Sequence, residues 1–198
     1  MTDTKNIRAV TAFTLFYLLA ATTFAWINQN WEFVIYIAVV VILGVIALLM
    51  HKRVHFTPGI FWGLSMWGLL HMIGGLVRLP PGFMYEGDKA VVYSWWIIPN
   101  VLKADNVIHA YGFAIATWVC WHCLKAATSV TKPTVGLLAL CIFAGMGLGA
   151  TNEIIEYITT VLVPSTNIGG YINTSWDLIW NLIGCTIAAV SIGLRNRS

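Results

Sequence analysis

Charge is what this sequence has least of. Asp, Glu, Lys and Arg together make up 10% of its 198 residues, and 59% are hydrophobic. A soluble domain carries roughly 25% charged residues, so this chain lacks the polar surface that a water-facing fold needs. It also lacks any basic run suited to nucleic acid, because nearly every Lys or Arg flanks an apolar segment. Nucleic acid is therefore not an expected partner. The cysteines are few (Cys120, Cys123, Cys141 and Cys185), and all lie within or at the ends of apolar segments, which argues against a secreted disulfide framework. Gly-x-Ser-x-Gly elbows, P-loops and dinucleotide fingerprints are absent. There is no internal repeat, and the apolar runs are too long and continuous for β-barrel alternation.

What is present is apolar length. A hydrocarbon core of about 30 Å takes about 20 apolar residues in a helix. Six segments meet this, at about 9–28, 33–50, 59–77, 105–124, 134–162 and 175–194. The first has no clear small-x-small cleavage site and reads as a retained helix. Pro58 and Pro133 stand at or just before span starts, where a missing N–H costs least, and Pro164 helps to end the fifth span. The expected fold is all-α: one polytopic membrane helical bundle over 1–198, with the lipid bilayer as its first partner.

Orientation follows from the cations. With both termini in the cytoplasm, the inner segments hold Lys5, Arg8, Lys52, Arg53, Lys125, Lys132, Arg195 and Arg197, and the outer segments hold Arg78, Lys89 and Lys103. That split is in the sense of the positive-inside rule. On the outer side, 78–104 reads as a long loop with the aromatics Tyr93, Trp95 and Trp96, expected in part to cap the bundle at the membrane interface or to form an ordinary interfacial belt. Residues 163–174 read as a second, uncharged outer loop. His51 and His55 read as solvated inner-loop residues.

Polar residues inside the spans carry the functional signal, because a charge in hydrocarbon costs a few kcal/mol or more and normally has a partner or a task. Four acids (Asp105, Glu153, Glu156 and Asp177) and two histidines (His71 and His109) fall in predicted spans. At 1.5 Å per residue, Glu153 and Glu156 lie about 28 and 33 Å above Thr134, while Asp105, His109 and Asp177 open spans that enter from outside. All six thus belong to the outer half. Asp105 and His109 (i, i+4), Glu153 and Glu156 (i, i+3), and Asp177 and Asn181 (i, i+4) each share a helix edge. Gly145, Gly147 and Gly149 precede the glutamates and would allow close helix approach or a kink.

Carboxylate plus imidazole suits a divalent metal such as zinc, iron or manganese, and helical bundles build such centres from inward Glu and His. The expected ligands are Asp105, His109, Glu153, Glu156 and Asp177. His71 or Glu153 would then serve as general base for a metal-bound water. Two other readings compete: a proton- or cation-coupled path, and a purely structural network closed by Arg78 or Lys103. At the inner end, Cys120-Trp121-His122-Cys123 offers three ligand types, but a structural zinc site usually needs four, and helix-end packing is the default reading.

Several of these motifs form a recognisable series: Leu70-His71 with Gly74-Gly75, Asp105 with His109 and Gly112, Asn152-Glu153 with Glu156-Tyr157, and Trp176-Asp177 with Trp180-Asn181. In order and spacing they resemble the YjdF-like family of bacterial inner-membrane proteins over about residues 60–190. The last three are also similar to the broader VanZ-like pattern, with Asp177, Asn181 and Gly184 fitting its final element. Asn181 stands where the YjdF-like pattern has a further Asp, and 172–175 carries no acid, which favours a mononuclear over a dinuclear centre. The resemblance implies a multi-pass protein of the bacterial inner (cytoplasmic) membrane with about six helices. VanZ-like relatives are associated with glycopeptide resistance, which points to an envelope setting. Three functions are therefore open: a metal-dependent membrane enzyme, for instance a hydrolase of a lipid or envelope substrate; a coupled transporter; or a non-catalytic subunit with membrane protein partners.

Overall fold

A computed structural model describes residues 2–195, with side chains from Lys5 onward; Arg197, assigned above to the inner side, lies outside the described residues. Six long helices follow one another: α1 (Thr2–Ile27), α2 (Trp31–Val54), α3 (Pro58–Leu76), α4 (Ala104–Thr128), α5 (Val135–Leu162) and α6 (Tyr171–Arg195). All six are long and apolar enough to cross a membrane. The chain is an all-α polytopic membrane bundle.

Local chemistry sets the helix ends. The Asn30 side chain accepts from Phe33 N (3.3 Å) to start α2, and the Thr134 hydroxyl accepts from Leu137 N (3.3 Å) to start α5. Pro58 begins α3, where its missing N–H is harmless. α2 closes on His55, and α4 on Ser129, each in the left-handed region with its N–H returned to the last turn.

The helices run beyond the sequence-based spans because amphipathic ends continue into the interface. α2 extends to Val54, so His51 is not a solvated loop residue: its ring packs 5.1 Å from that of Phe61 in the last helical turn. α6 starts at Tyr171 rather than 175, which turns part of the expected loop 163–174 into helix and places Asn173 one turn ahead of Asp177. α5 is continuous, without the break its glycines would permit. Gly145 and Gly149 face neighbouring helices, whereas Gly147 meets nothing within 4 Å.

The central seam lies between α4 and α6, with α5 packed over both. Gly184 makes it possible. A Cβ there would overlap the backbone carbonyl of Ala110 on α4, and Ala110 Cα would stand 2.9 Å away. Only a glycine lets two backbones approach this closely. α1 and α2 pack on α3 through Tyr17, Ala21, Phe33, Tyr36 and Met72.

The bundle has two unlike ends. At one, Val10 packs with Phe56 and Phe61, and Trp121 with Cys141 and Ile192; we call it the terminal end. The Cys120–Cys123 motif lies here with Trp121 fully buried, all four cysteines are free thiols, and no group of three ligand side chains forms there among the described residues. The opposite, loop end carries 77–103. This segment is folded: Leu79 N donates to the Ala90 carbonyl (2.8 Å), a 3-10 turn spans Val92–Ser94, and a short antiparallel pair joins Trp96–Ile98 to Leu102–Lys103. It caps the helix ends, as its aromatics suggest. It is pinned through Asn167, whose side chain accepts from Lys89 N (3.2 Å) and donates to Ser94 Oγ (3.1 Å).

Candidate functional site

The first turn of α4, the last turns of α5 and the first turns of α6 meet at the loop end. Their polar edges converge on one imidazole. His109 is 6% exposed and faces acids from two helices. Its Nε2 lies 3.6 Å from Asp105 Oδ1 and 4.0 Å from Glu156 Oε1, and its Nδ1 lies 3.9 Å from Glu153 Oε1. Asp177, fully buried, offers an atom within 4.8 Å of atoms from both Asp105 and His109, and His109, Glu153 and Glu156 form a second such group. The five residues expected as ligands are therefore neighbours around one ring.

Three asparagines orient this set. Asn181 Oδ1 lies 3.1 Å from His109 Nδ1. The amide therefore stands on the Nδ1 side of the ring, and Asp105 and Glu156 stand on the Nε2 side. Asn152 donates to Glu156 Oε1 (2.8 Å), and Asn173 donates to Asp177 Oδ2. Each of these two stands four residues before its carboxylate, on the same helix edge. Asn173 in turn accepts from Lys103 Nζ (2.6 Å). The cation thus reaches the acids only through an amide, and Arg78 is exposed and has no ion pair among the described residues.

Some polar atoms remain unserved. Both oxygens of Glu153, 9% exposed, and Oδ1 of Asp177 are buried without a hydrogen bond of good geometry, the nearest donors being Asn152 and Thr174 for Glu153 and Asn106 for Asp177. Leaving a charged acceptor so costs about 1–3 kcal/mol or more. The separations around His109 are too long for hydrogen bonds. They are close to the roughly 3.4 Å between ligand atoms of a tetrahedral ion bound at about 2.1 Å. Donor type, spacing and the orphaned oxygens all fit a divalent cation.

His71 is placed apart from the five. It lies in neither group of ligand-distance residues. Its Nδ1 is hydrogen-bonded to the Tyr93 hydroxyl of the capping segment, and its ring packs against Tyr36 at 5.1 Å. Burial, then the charges of Asp105 and Glu156, push the Tyr93 phenol well above its ordinary range, so it stays protonated and can donate to His71. His71, Asp105 and Glu156 share the wall of one cavity of about 710 Å³ under the cap, and Lys103 and Trp96 also line it.

Sequence reasoning overlooked two participants. Tyr93 looked like an interfacial aromatic, and nothing in its loop signals a contact with α3. Glu32 was passed over because it stands one residue before the apolar run of α2. It is buried, accepts from Asn167 N (2.9 Å) and pairs with Lys89 (3.7 Å). An acid at the edge of an apolar run was the available signal.

No curated protein and no solved structure shows significant similarity to this chain. Residues 9–198 match the family described as predicted membrane protein (DUF2238), a span that includes all of α2 to α6, most of α1 and every residue of the site. The chain belongs to this family of membrane proteins.

Proposed function

We propose that this protein is a metal-dependent membrane enzyme, a hydrolase of a lipid or envelope substrate, with its centre at His109. The observation that carries the reading is the convergence of Asp105, Glu153, Glu156 and Asp177 on one buried imidazole at ligand-like separations, with three carboxylate oxygens lacking a hydrogen bond of good geometry. Asp105, His109 Nε2 and Glu156 would hold a zinc, iron or manganese ion, with Asp177 as a further ligand. Such an ion supplies Lewis acidity. Glu153, buried beside the ring, would accept a proton. His71, fixed through Nδ1 by Tyr93, is the group on the cavity wall for proton exchange with a substrate. We further assign the loop end to the outer face of a bacterial inner membrane, from the distribution of cations and from the YjdF-like and VanZ-like resemblance.

The transporter reading has less support. Beneath the cluster the α4–α6 seam is closed by Phe113, Ala116 and Cys185, so the acids do not continue as a path.

The test is metal analysis of the protein purified in mild detergent. About one ion per chain, lost in His109→Ala and Glu156→Gln, is expected, together with a lower melting temperature after chelation. Protein free of metal, with an unchanged melt on chelation and on adding zinc, iron or manganese, would refute it.

A further inference from the structure

The loop end separates charge by sign into two neighbouring hollows. The cavity beside the metal centre is lined by Glu32, Glu86, Asp88, Asp105 and Glu156, with Lys103 as its cation. A second groove, of about 600 Å³, meets it at Gly75 and is lined by Arg78 and Lys89 and by no carboxylate. Two of the three cations of this end thus flank one groove.

Both are held there by backbone. Arg78 forms a bridge with Val91, and Leu79 N and Val92 N extend that pairing to Ala90 and Val77. The pairing keeps Lys89 close to the segment that carries Arg78. Lys89 shares its charge with Glu32 at 3.7 Å. Arg78 is exposed and has no acid partner among the described residues, so the groove keeps an uncompensated guanidinium with five donors.

Depth identifies the occupant. The other side of the groove is formed by the ends of α1 and α2, with Phe24, Asn28 and Trp31. Phe24, Trp26 and Trp31 are exposed, and the last two stack edge to face at 5.6 Å. Exposed tryptophans at helix ends mark the level of lipid headgroups. An apolar rim, amide side chains and a free arginine at that level suit an amphiphile whose headgroup carries phosphate, which a guanidinium binds through paired N–H donors.

We propose that the Arg78–Lys89 groove is a binding site for the headgroup of an anionic phospholipid in the leaflet at the loop end. This site is separate from the metal centre and does not depend on it.

The experiment uses the full chain, delipidated in a neutral detergent, with native mass spectrometry as the readout. Short-chain phosphatidylglycerol is the probe, and phosphatidylcholine and inorganic phosphate are competitors. One tightly bound phosphatidylglycerol is expected, with phosphatidylcholine and inorganic phosphate both poor competitors. Arg78→Gln should weaken it about tenfold, and Arg78→Lys should restore part of the affinity. Metal content and melting temperature of both variants should match the parent, which separates lost recognition from lost folding. His109→Ala should retain the lipid. Equal affinity in Arg78→Gln overturns the site. Equal preference for phosphatidylcholine overturns recognition of net charge, and full displacement by inorganic phosphate at equal concentration overturns the lipid as the source of the phosphate.

Discussion

Replacing Gly184 by alanine adds one methyl group at the closest approach of two backbones. Its Cβ would overlap the Ala110 carbonyl and stand 2.9 Å from Ala110 Cα. Those atoms are backbone, so no rotamer change relieves the clash. Restoring ordinary contact requires α4 and α6 to separate by about 1 Å, at an overpacking cost of about 1–3 kcal/mol. The same displacement acts on the site, because Ala110 follows His109 and Gly184 lies one turn beyond Asn181. A further ~1 Å on the 3.1 Å contact between His109 Nδ1 and Asn181 Oδ1 takes it out of hydrogen-bond range. Gly147→Ala is the control. Gly147 is exposed on α5 with nothing within 4 Å, so alanine there should stabilise the helix by about 0.5–1 kcal/mol. Unfolding in mixed micelles of mild detergent and SDS should therefore move in opposite directions for the two variants. A Gly184→Ala protein as stable as Gly147→Ala would refute the close α4–α6 seam and the site geometry built on it.

Three further outcomes follow from particular contacts. Glu153→Gln removes a buried carboxylate that lacks a hydrogen bond of good geometry and faces the other acids of the site; after chelation it should melt above the chelated parent, yet gain less on adding metal, where an ion at a hundredfold excess over its Kd gives the parent about 2.7 kcal/mol. Tyr93→Phe deletes the hydroxyl that holds His71 and should cost about 0.5–1.5 kcal/mol in the same unfolding assay, with metal content unchanged. Glu32→Ala strips the Asn167 amide and Lys89 of their acceptor, at a cost of about 1.5–3 kcal/mol. Its readout is faster hydrogen exchange across 163–170 and the capping segment. Unchanged exchange there would show that the cap is held by other contacts.

The helical bundle was legible because lipid imposes a simple demand: every backbone group must be satisfied within its own segment, over a fixed thickness. Apolar length alone therefore located six helices to within a few residues at most ends. The ligand-type residues were legible for a related reason. A charge inside such a segment is costly, so Asp105, His109, Glu153, Glu156 and Asp177 stood out without any view of the fold. Their spacing also indicated a shared edge on each helix. Where amphipathic ends carry the helix into the interface, as at His51 and Asn173, apolar length was silent and the boundaries were set too short.

Tertiary structure decided which edges meet. The i, i+4 rule pairs Asp105 with His109, but only the close passage at Gly184 brings Asn181 and Asp177 across from another helix. It also sorted the neighbours of the ring, with Asn181 and Glu153 at Nδ1 and Asp105 and Glu156 at Nε2. It set His71 apart with Tyr93, a contact between α3 and a loop residue 22 positions away that no periodicity encodes. The sequence by itself determined the elements and the residues too costly to bury without a reason. The packing of backbone against backbone determined which of them share one centre, because convergence depends on distances between helices and these are governed by small residues at the seams.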